Sequence, residues 1–121
     1  SILGKTVILE KEDMIDIVTA ISGSGPAYIF NFAEIIIAAG KDLGLSEEIS
    51  KKIFLQTIVG AGLLAIDSDK SPSKLREDVT SPNGTTQAAL NILMDKQNGW
   101  HEIIRNAVTA AYERSKSLAK N

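Results

Sequence analysis

Eight residues, Val79-Thr80-Ser81-Pro82-Asn83-Gly84-Thr85-Thr86, interrupt an otherwise helical chain, and a helical pattern resumes at Gln87-Ala88-Ala89-Leu90. The run is small, hydroxylated and turn-forming. A Gly-containing loop that feeds a helix N-terminus aims unpaired backbone N–H groups at one spot, where the helix dipole also favours an anion. Ser81, Thr85 and Thr86 add hydroxyls able to donate or accept. This is the chemistry of a cradle for a small carboxylate or a phosphate. The same residues also make an ordinary helix–helix loop with an N-cap, because Ser, Thr, Asn and Gly are the usual capping residues. Local physics leaves both readings open.

Other candidate chemistry is sparse. Gly60-Ala61-Gly62-Leu63-Leu64-Ala65 fits the pattern G-x-G-x-x-A of dinucleotide sites. That pattern works only between a strand and a full helix. Here helical spacing runs back to Ser46, and Asp67-Ser68-Asp69-Lys70-Ser71-Pro72 ends the helix soon after. The small residues read instead as a place where another helix approaches closely. Gly23-Ser24-Gly25 has Tyr28 where the third glycine belongs, so it is no fingerprint either. The single histidine, His101, reads as a surface or capping residue, with no second ligand to suggest a metal site. Glu34 among Phe32, Ile35 and Ile36 reads as the polar side of an amphipathic helix. No Ser–His–acid arrangement is visible.

The elements that must hold the loop are helices. Thr6 to Leu9 reads as a short strand or the tail of a linker. Glu12 to Ala20 reads as a short helix with acids near its start. Ser22-Gly23-Ser24-Gly25 breaks it, Pro26 suits a first helical position, and a long helix runs to Leu43-Gly44. Ser46 caps a helix reaching about Ser68. Ser71-Pro72 opens a short helix over Ser73 to Val79. Gln87 to Lys96 and Trp100 to Ala119 complete the set, separated at Asn98-Gly99. The expected architecture is all-α, one domain of about six helices.

Composition agrees. The chain has 121 residues, 44% of them hydrophobic but 5% aromatic, with no cysteine and a formal net charge of −2. An acidic balance without a Lys/Arg cluster argues against nucleic acid. The absence of cysteine removes disulfides and zinc–thiolate sites and suits a reducing, cytoplasmic setting. No secretory signal is visible. The most apolar stretches carry Asn31 and Glu34 or look too short for a bilayer, so no membrane span is expected. Ile, Leu, Val and Ala dominate the apolar mass, which suits close helix packing shared between chains.

Two motifs together, Thr19-Ala20-Ile21-Ser22-Gly23-Ser24-Gly25-Pro26-Ala27-Tyr28 and Val79 to Thr86, closely resemble pyrroline-5-carboxylate reductase. Ala39-Gly40, Gly44-Leu45, Gln56-Thr57, Gly60-Ala61 and Leu75-Arg76 fit in order and spacing. Ala107-Val108, Ala110-Ala111 and Arg114-Ser115 fit the family's last helix. The resemblance spans Asp13 to Leu118. Asn83 stands where the family usually has a second glycine, and Asn tolerates positive φ better than other non-Gly residues.

The resemblance implies a helical domain, residues 11–121, that dimerises by intertwining and contributes the substrate site. Residues 1–10 would end a linker from an N-terminal Rossmann domain that binds NADPH or NADH. The implied reaction is reduction of 1-pyrroline-5-carboxylate to L-proline, with no metal. Ser81 would hold the substrate carboxylate with its hydroxyl, and Gly84, Thr85 and Thr86 with their N–H groups. Thr86 would be the catalytic residue, its hydroxyl against the imine nitrogen. Ser24, Gly25 and Pro26 would lie near the nicotinamide. The implied partner is a second copy, as a homodimer or higher oligomer. The competing function is a non-catalytic helical dimerisation module, or a paralogue binding another small anion.

Overall fold

The computed structural model describes residues 12–120. The expected strand or linker at Thr6 to Leu9 lies outside them. Among the described residues there are six α-helices and one π-helical turn: α1 (Glu12–Val18), the π turn (Thr19–Gly23), α2 (Gly25–Asp42), α3 (Glu47–Asp67), α4 (Pro72–Asp78), α5 (Thr85–Leu93) and α6 (Trp100–Ala119). The described residues are all-α, as the patterning predicts.

The junction before α2 differs from expectation. Ser22 to Gly25 does not break the helix; the backbone keeps winding, with Ser24 still helical at φ −86°, ψ −18°. The Ser24 N–H reaches five residues back to the Thr19 carbonyl at 2.9 Å. Pro26, second in α2 rather than first, has no N–H to offer the Ser22 carbonyl, so the ladder must shift around it. The Tyr28 hydroxyl then donates to the Ala20 carbonyl at 2.7 Å.

Helices α2 and α3 form an antiparallel hairpin. The Leu45 N–H bonds the Gly40 carbonyl and the Gly44 N–H the Lys41 carbonyl, both at 3.0 Å, the double bond of a Schellman ending. Gly44 sits at φ +114°, which a side chain would strain. Ser46 caps α3, its Oγ accepting from the Ile49 N–H at 3.1 Å.

Helix α6 returns antiparallel along α1, the π turn and the start of α2. The Ser115 hydroxyl donates to Asp16 at 2.6 Å, and Trp100 meets Phe32 with ring centroids 5.2 Å apart. Phe32 also meets Phe54 edge-on at 5.5 Å, so three aromatic rings join α6, α2 and α3.

Helix α5 begins and ends earlier than the expected Gln87 to Lys96. Thr85 and Thr86 already belong to its first turn, with Gly84 at the N-cap. Its end is set by Asp95, whose carboxylate accepts from the Asn98 N–H at 2.7 Å and the Gln97 N–H at 3.2 Å, a turn incompatible with further helix. Gly99 then starts α6 in a spot where a Cβ would collide with backbone atoms of Leu93 and Asp95.

The interior of one protomer is thin. Ala20, Ala33 and Ser50 are buried, whereas Phe30, Leu43, Ile92 and Ile103 are largely exposed. Apolar residues encircle α3, the pattern of a helix enclosed on every side, yet its extensive packing is to α2. Among the described residues α3 is the helix long and apolar enough to cross a bilayer, with mean hydropathy 1.5. The expectation that every apolar stretch falls short therefore fails for this helix.

Candidate functional site

The loop around Ser81 is held between α4 and α5. Ser71 caps α4, accepting from the Lys74 N–H at 3.1 Å, and Pro72 preorganises its first turn. At its far end the Asp78 carboxylate takes Lys70 at 2.8 Å and Lys74 at 3.1 Å. An acid at a helix C-terminus opposes the dipole, and the two ammonium groups offset this. The bond from Lys70, followed by that from Lys74, holds the Asp78 carboxyl below the usual carboxylate range. The bond to Asp78 holds the Lys74 ammonium above its ordinary value.

Past α4 the Thr80 hydroxyl donates to the Arg76 carbonyl at 2.6 Å, and the Thr80 N–H donates to the Glu77 carbonyl at 3.1 Å. The chain then turns back on itself, the Gly84 N–H reaching the Ser81 carbonyl at 3.2 Å. Asn83 closes that turn in the left-handed region at φ +61°, among the described residues the one non-glycine that does so. The substitution of Asn for a second glycine is thus accommodated as expected.

Gly84 is the N-cap of α5, and no side chain caps this helix. The first-turn N–H groups of Thr85, Thr86 and Gln87 therefore face outward from the loop without a helical acceptor. Ser81 and Thr85 are exposed; Gly84 and Thr86 are half-buried. The structure brings Ser81, Gly84, Thr85 and Thr86 together at one loop–helix junction, an arrangement able to hold a small anion.

Ser24, Gly25 and Pro26 lie elsewhere, at the start of α2, and α5 packs extensively on neither α2 nor the π turn within one protomer. A Cβ built on Gly25 would meet no atom within 4 Å. Gly60 and Gly62 cannot cradle a pyrophosphate: both lie inside α3, in the helical interior where N–H groups are already paired. The rejection of the dinucleotide fingerprint stands on this geometry.

Two open clefts flank the loop's supporting helices. One, about 410 Å³, lies between α4 and α5, lined by Arg76, Glu77, Thr80, Gln87, Leu90, Asn91 and Met94. The other, about 840 Å³, has an apolar floor of Leu90, Met94, Trp100 and Ile104, with His101 and Arg105 at its margin. Ser81, Gly84, Thr85 and Thr86 line neither. Arg76, half-buried and shared by both clefts, was visible in the sequence only as part of Leu75-Arg76, and Thr80 carried no signal beyond its hydroxyl.

Residues 12–118 match the family described as pyrroline-5-carboxylate reductase dimerisation. The chain belongs to that family. It is 44% identical over 120 residues to the pyrroline-5-carboxylate reductase of Pseudomonas aeruginosa, covering 99% of this chain and 43% of that protein. It is similar to the crystal structure of Plasmodium falciparum pyrroline carboxylate reductase with NADP bound, at a TM-score of 0.82 and 43% identity, over 88% of this chain and 42% of that one. The reductase of Streptococcus pyogenes is similar at a TM-score of 0.86 and 31% identity, over 94% and 43%. The chain thus spans less than half the length of these pyrroline-5-carboxylate reductases.

Proposed function

We propose that this chain is the C-terminal, substrate-binding and dimerisation domain of a reductase that converts 1-pyrroline-5-carboxylate to L-proline with NADPH or NADH, the last step of proline biosynthesis. The observation that carries this reading is the junction at Asn83 and Gly84, where a left-handed turn delivers the uncapped first turn of α5. It stands within a chain that matches the reductase family over residues 12–118.

The substrate carboxylate sits against the N–H groups of Thr85 and Thr86, with the Ser81 hydroxyl donating to it; the Gly84 N–H, expected to join them, is engaged by the Ser81 carbonyl at 3.2 Å and serves the turn instead. The helix dipole adds to these bonds, and they act equally in ground and transition states. The Thr86 hydroxyl orients the imine nitrogen and assists its protonation. Ser24, Gly25 and Pro26, which lie apart from the loop within one protomer, close the far side of the pocket in the assembled dimer, beside the nicotinamide, which when bound supplies the hydride. The chain's own contribution is therefore positioning and electrostatics. The dinucleotide is held mainly by an N-terminal Rossmann domain, to which residues 1–10 link. The enzyme works in the cytoplasm as a homodimer or a higher assembly of such dimers. A partner protomer, rather than a bilayer, covers the apolar surface of α3, and no nucleic acid is involved.

The test is a comparison of two proteins. The chain joined to its cofactor-binding domain is mixed with NADPH and pyrroline-5-carboxylate, and the loss of cofactor absorbance is followed. The joined protein turns over and the isolated chain does not. Turnover by the isolated chain would overturn the division of labour. No turnover by either, with a stable dimer in both, would leave a dimerisation module.

A further inference from the structure

We infer that Thr80 is a positioning residue for the substrate carboxylate, fixing the Ser81–Gly84 turn to the end of α4; this rests on the loop being the carboxylate site proposed above. The last four carbonyls of a helix have no helical donors. In α4 they belong to Leu75, Arg76, Glu77 and Asp78. Thr80, two residues beyond the helix, bonds two of them: its hydroxyl donates to Arg76 at 2.6 Å, beside the Val79 N–H at 3.3 Å, and its N–H donates to Glu77 at 3.1 Å.

Several other hydroxyls in the chain also bond a carbonyl four residues back. Those of Thr19 and Thr57 do so on exposed helical faces, where the backbone is already fixed by its own ladder. Thr80 differs on both counts. It is half-buried, and it lies past the end of α4, where one main-chain bond, from its own N–H to the Glu77 carbonyl, holds it. The next residue is Ser81, whose carbonyl accepts the Gly84 N–H at 3.2 Å. Bonds therefore run without a gap from Arg76 and Glu77 through Thr80 to Ser81, and from Ser81 to the N-cap of α5. The direction of the Ser81 hydroxyl, and the placement of the first N–H groups of α5 relative to it, follow from the anchoring of Thr80. α4 is itself braced by Lys70 and Lys74 on Asp78, so the anchor is attached to a stiffened helix end.

Removing the hydroxyl leaves the Thr80 N–H bond and the helices in place but frees one of the two ties. The carboxylate cradle then samples more conformations, and binding of the anion suffers while the reacting groups, once assembled, are unchanged. In the assembled enzyme, Thr80→Val is expected to raise KM for pyrroline-5-carboxylate roughly tenfold with kcat within about twofold of wild type. The inhibition constant for L-proline should rise in parallel, and KM for NADPH should not move. Thr80→Ser, which restores the hydroxyl, should return KM close to wild type. Thr80→Ala serves as a second variant should the valine crowd its half-buried site, and the same KM rise is expected of it. Ser81→Ala is run beside them. A wild-type KM in Thr80→Val and Thr80→Ala while Ser81→Ala raises KM would overturn the role of Thr80 and leave the carboxylate site standing. A failure of Thr80→Ser to rescue would also overturn it. An unchanged KM in Ser81→Ala would overturn the carboxylate site itself, and the role of Thr80 with it.

Discussion

The Tyr28 hydroxyl donates to the Ala20 carbonyl at 2.7 Å, binding the first turn of α2 to the π turn that precedes it. Ala20 is fully buried, and the Ser24 N–H that would serve its carbonyl in an α-helix is engaged with Thr19 instead. A side chain thus replaces a missing backbone donor. In Tyr28→Phe the carbonyl loses that donor while the ring packing stays. The expected cost is about 1–3 kcal/mol of unfolding free energy. Chemical denaturation of both proteins at equal concentration measures it, and equal midpoints would show that water replaces the phenol at no cost.

Gly99 leads to a larger effect. A Cβ there would meet the carbonyls of Leu93 and Asp95 and the Asp95 nitrogen, all backbone atoms that cannot swing aside. Gly99→Ala must therefore open the turn between α5 and α6 and shift Trp100 from Phe32. We expect a loss of more than about 3 kcal/mol, beyond the usual range for one substitution. A melting temperature unchanged from wild type would refute the rigidity of this corner.

The ion pairs on Asp78 predict a pH dependence whose sign is fixed. The Asp78 carboxyl is depressed, so its contribution is complete above the ordinary carboxylate pKa and is lost as pH falls from about 4 downward. The Lys74 ammonium is raised, so its contribution is complete below the ordinary lysine pKa and is lost as pH climbs past about 10.4. The clamp is intact throughout the range between. Asp78→Asn should flatten the difference in melting temperature between about pH 6 and about pH 3 relative to wild type. Both groups are exposed, so the effect is small and weakens with added salt. Identical pH profiles in the two proteins would dismiss the clamp.

Thr86 and Ser81 should separate kinetically in the assembled enzyme. If the Thr86 hydroxyl orients the imine nitrogen, as proposed, Thr86→Ala removes it but leaves the backbone cradle, so kcat should fall by roughly tenfold to a thousandfold. If the Ser81 hydroxyl holds the carboxylate, Ser81→Ala removes a contact made in both ground and transition states and should act chiefly on KM. A wild-type kcat for Thr86→Ala would reduce the loop to an anion clamp.

Gly60 and Gly62 test the association. A Cβ at either meets nothing within 4 Å in one protomer. In an isolated helix Gly→Ala stabilises by about 0.5–1 kcal/mol. If a partner helix lies against this stripe, the added methyls must instead weaken the dimer. Sedimentation of Gly60→Ala and Gly62→Ala across a dilution series measures the change, and an unaltered dissociation constant would place the contact elsewhere. The wild-type chain should remain dimeric at micromolar concentration, since obligate interfaces bury about 2,000 Å² or more.

What was legible in the sequence was what local chemistry decides. Ser46, Ser71-Pro72 and Gly44 mark helix ends by capping and backbone preference, and the structure places each where those preferences put it. The left-handed Asn83 was legible through the family resemblance, since it stands where that family has a glycine and Asn tolerates positive φ. The start of α5 was misplaced because Thr85 and Thr86 look like loop residues, although β-branched side chains are tolerated in a first turn. Its end was misplaced because the stop comes from the Asp95 carboxylate folding back onto Gln97 and Asn98. The π turn was invisible because Pro26 and the distant Tyr28 hydroxyl create it together. The clefts beside Arg76 could not be read at all, since one forms between α4 and α5 and the other where α6 joins them.

The exposed surface of α3 has a consequence for how this chain tolerates change. In a two-fold assembly each position occurs twice, and a residue on the shared surface meets a copy of its own surroundings. If α3 lies on the two-fold surface, as proposed, a substitution at exposed Leu63 or Ile66 is never a single event: whatever it adds or removes is imposed from both sides at once.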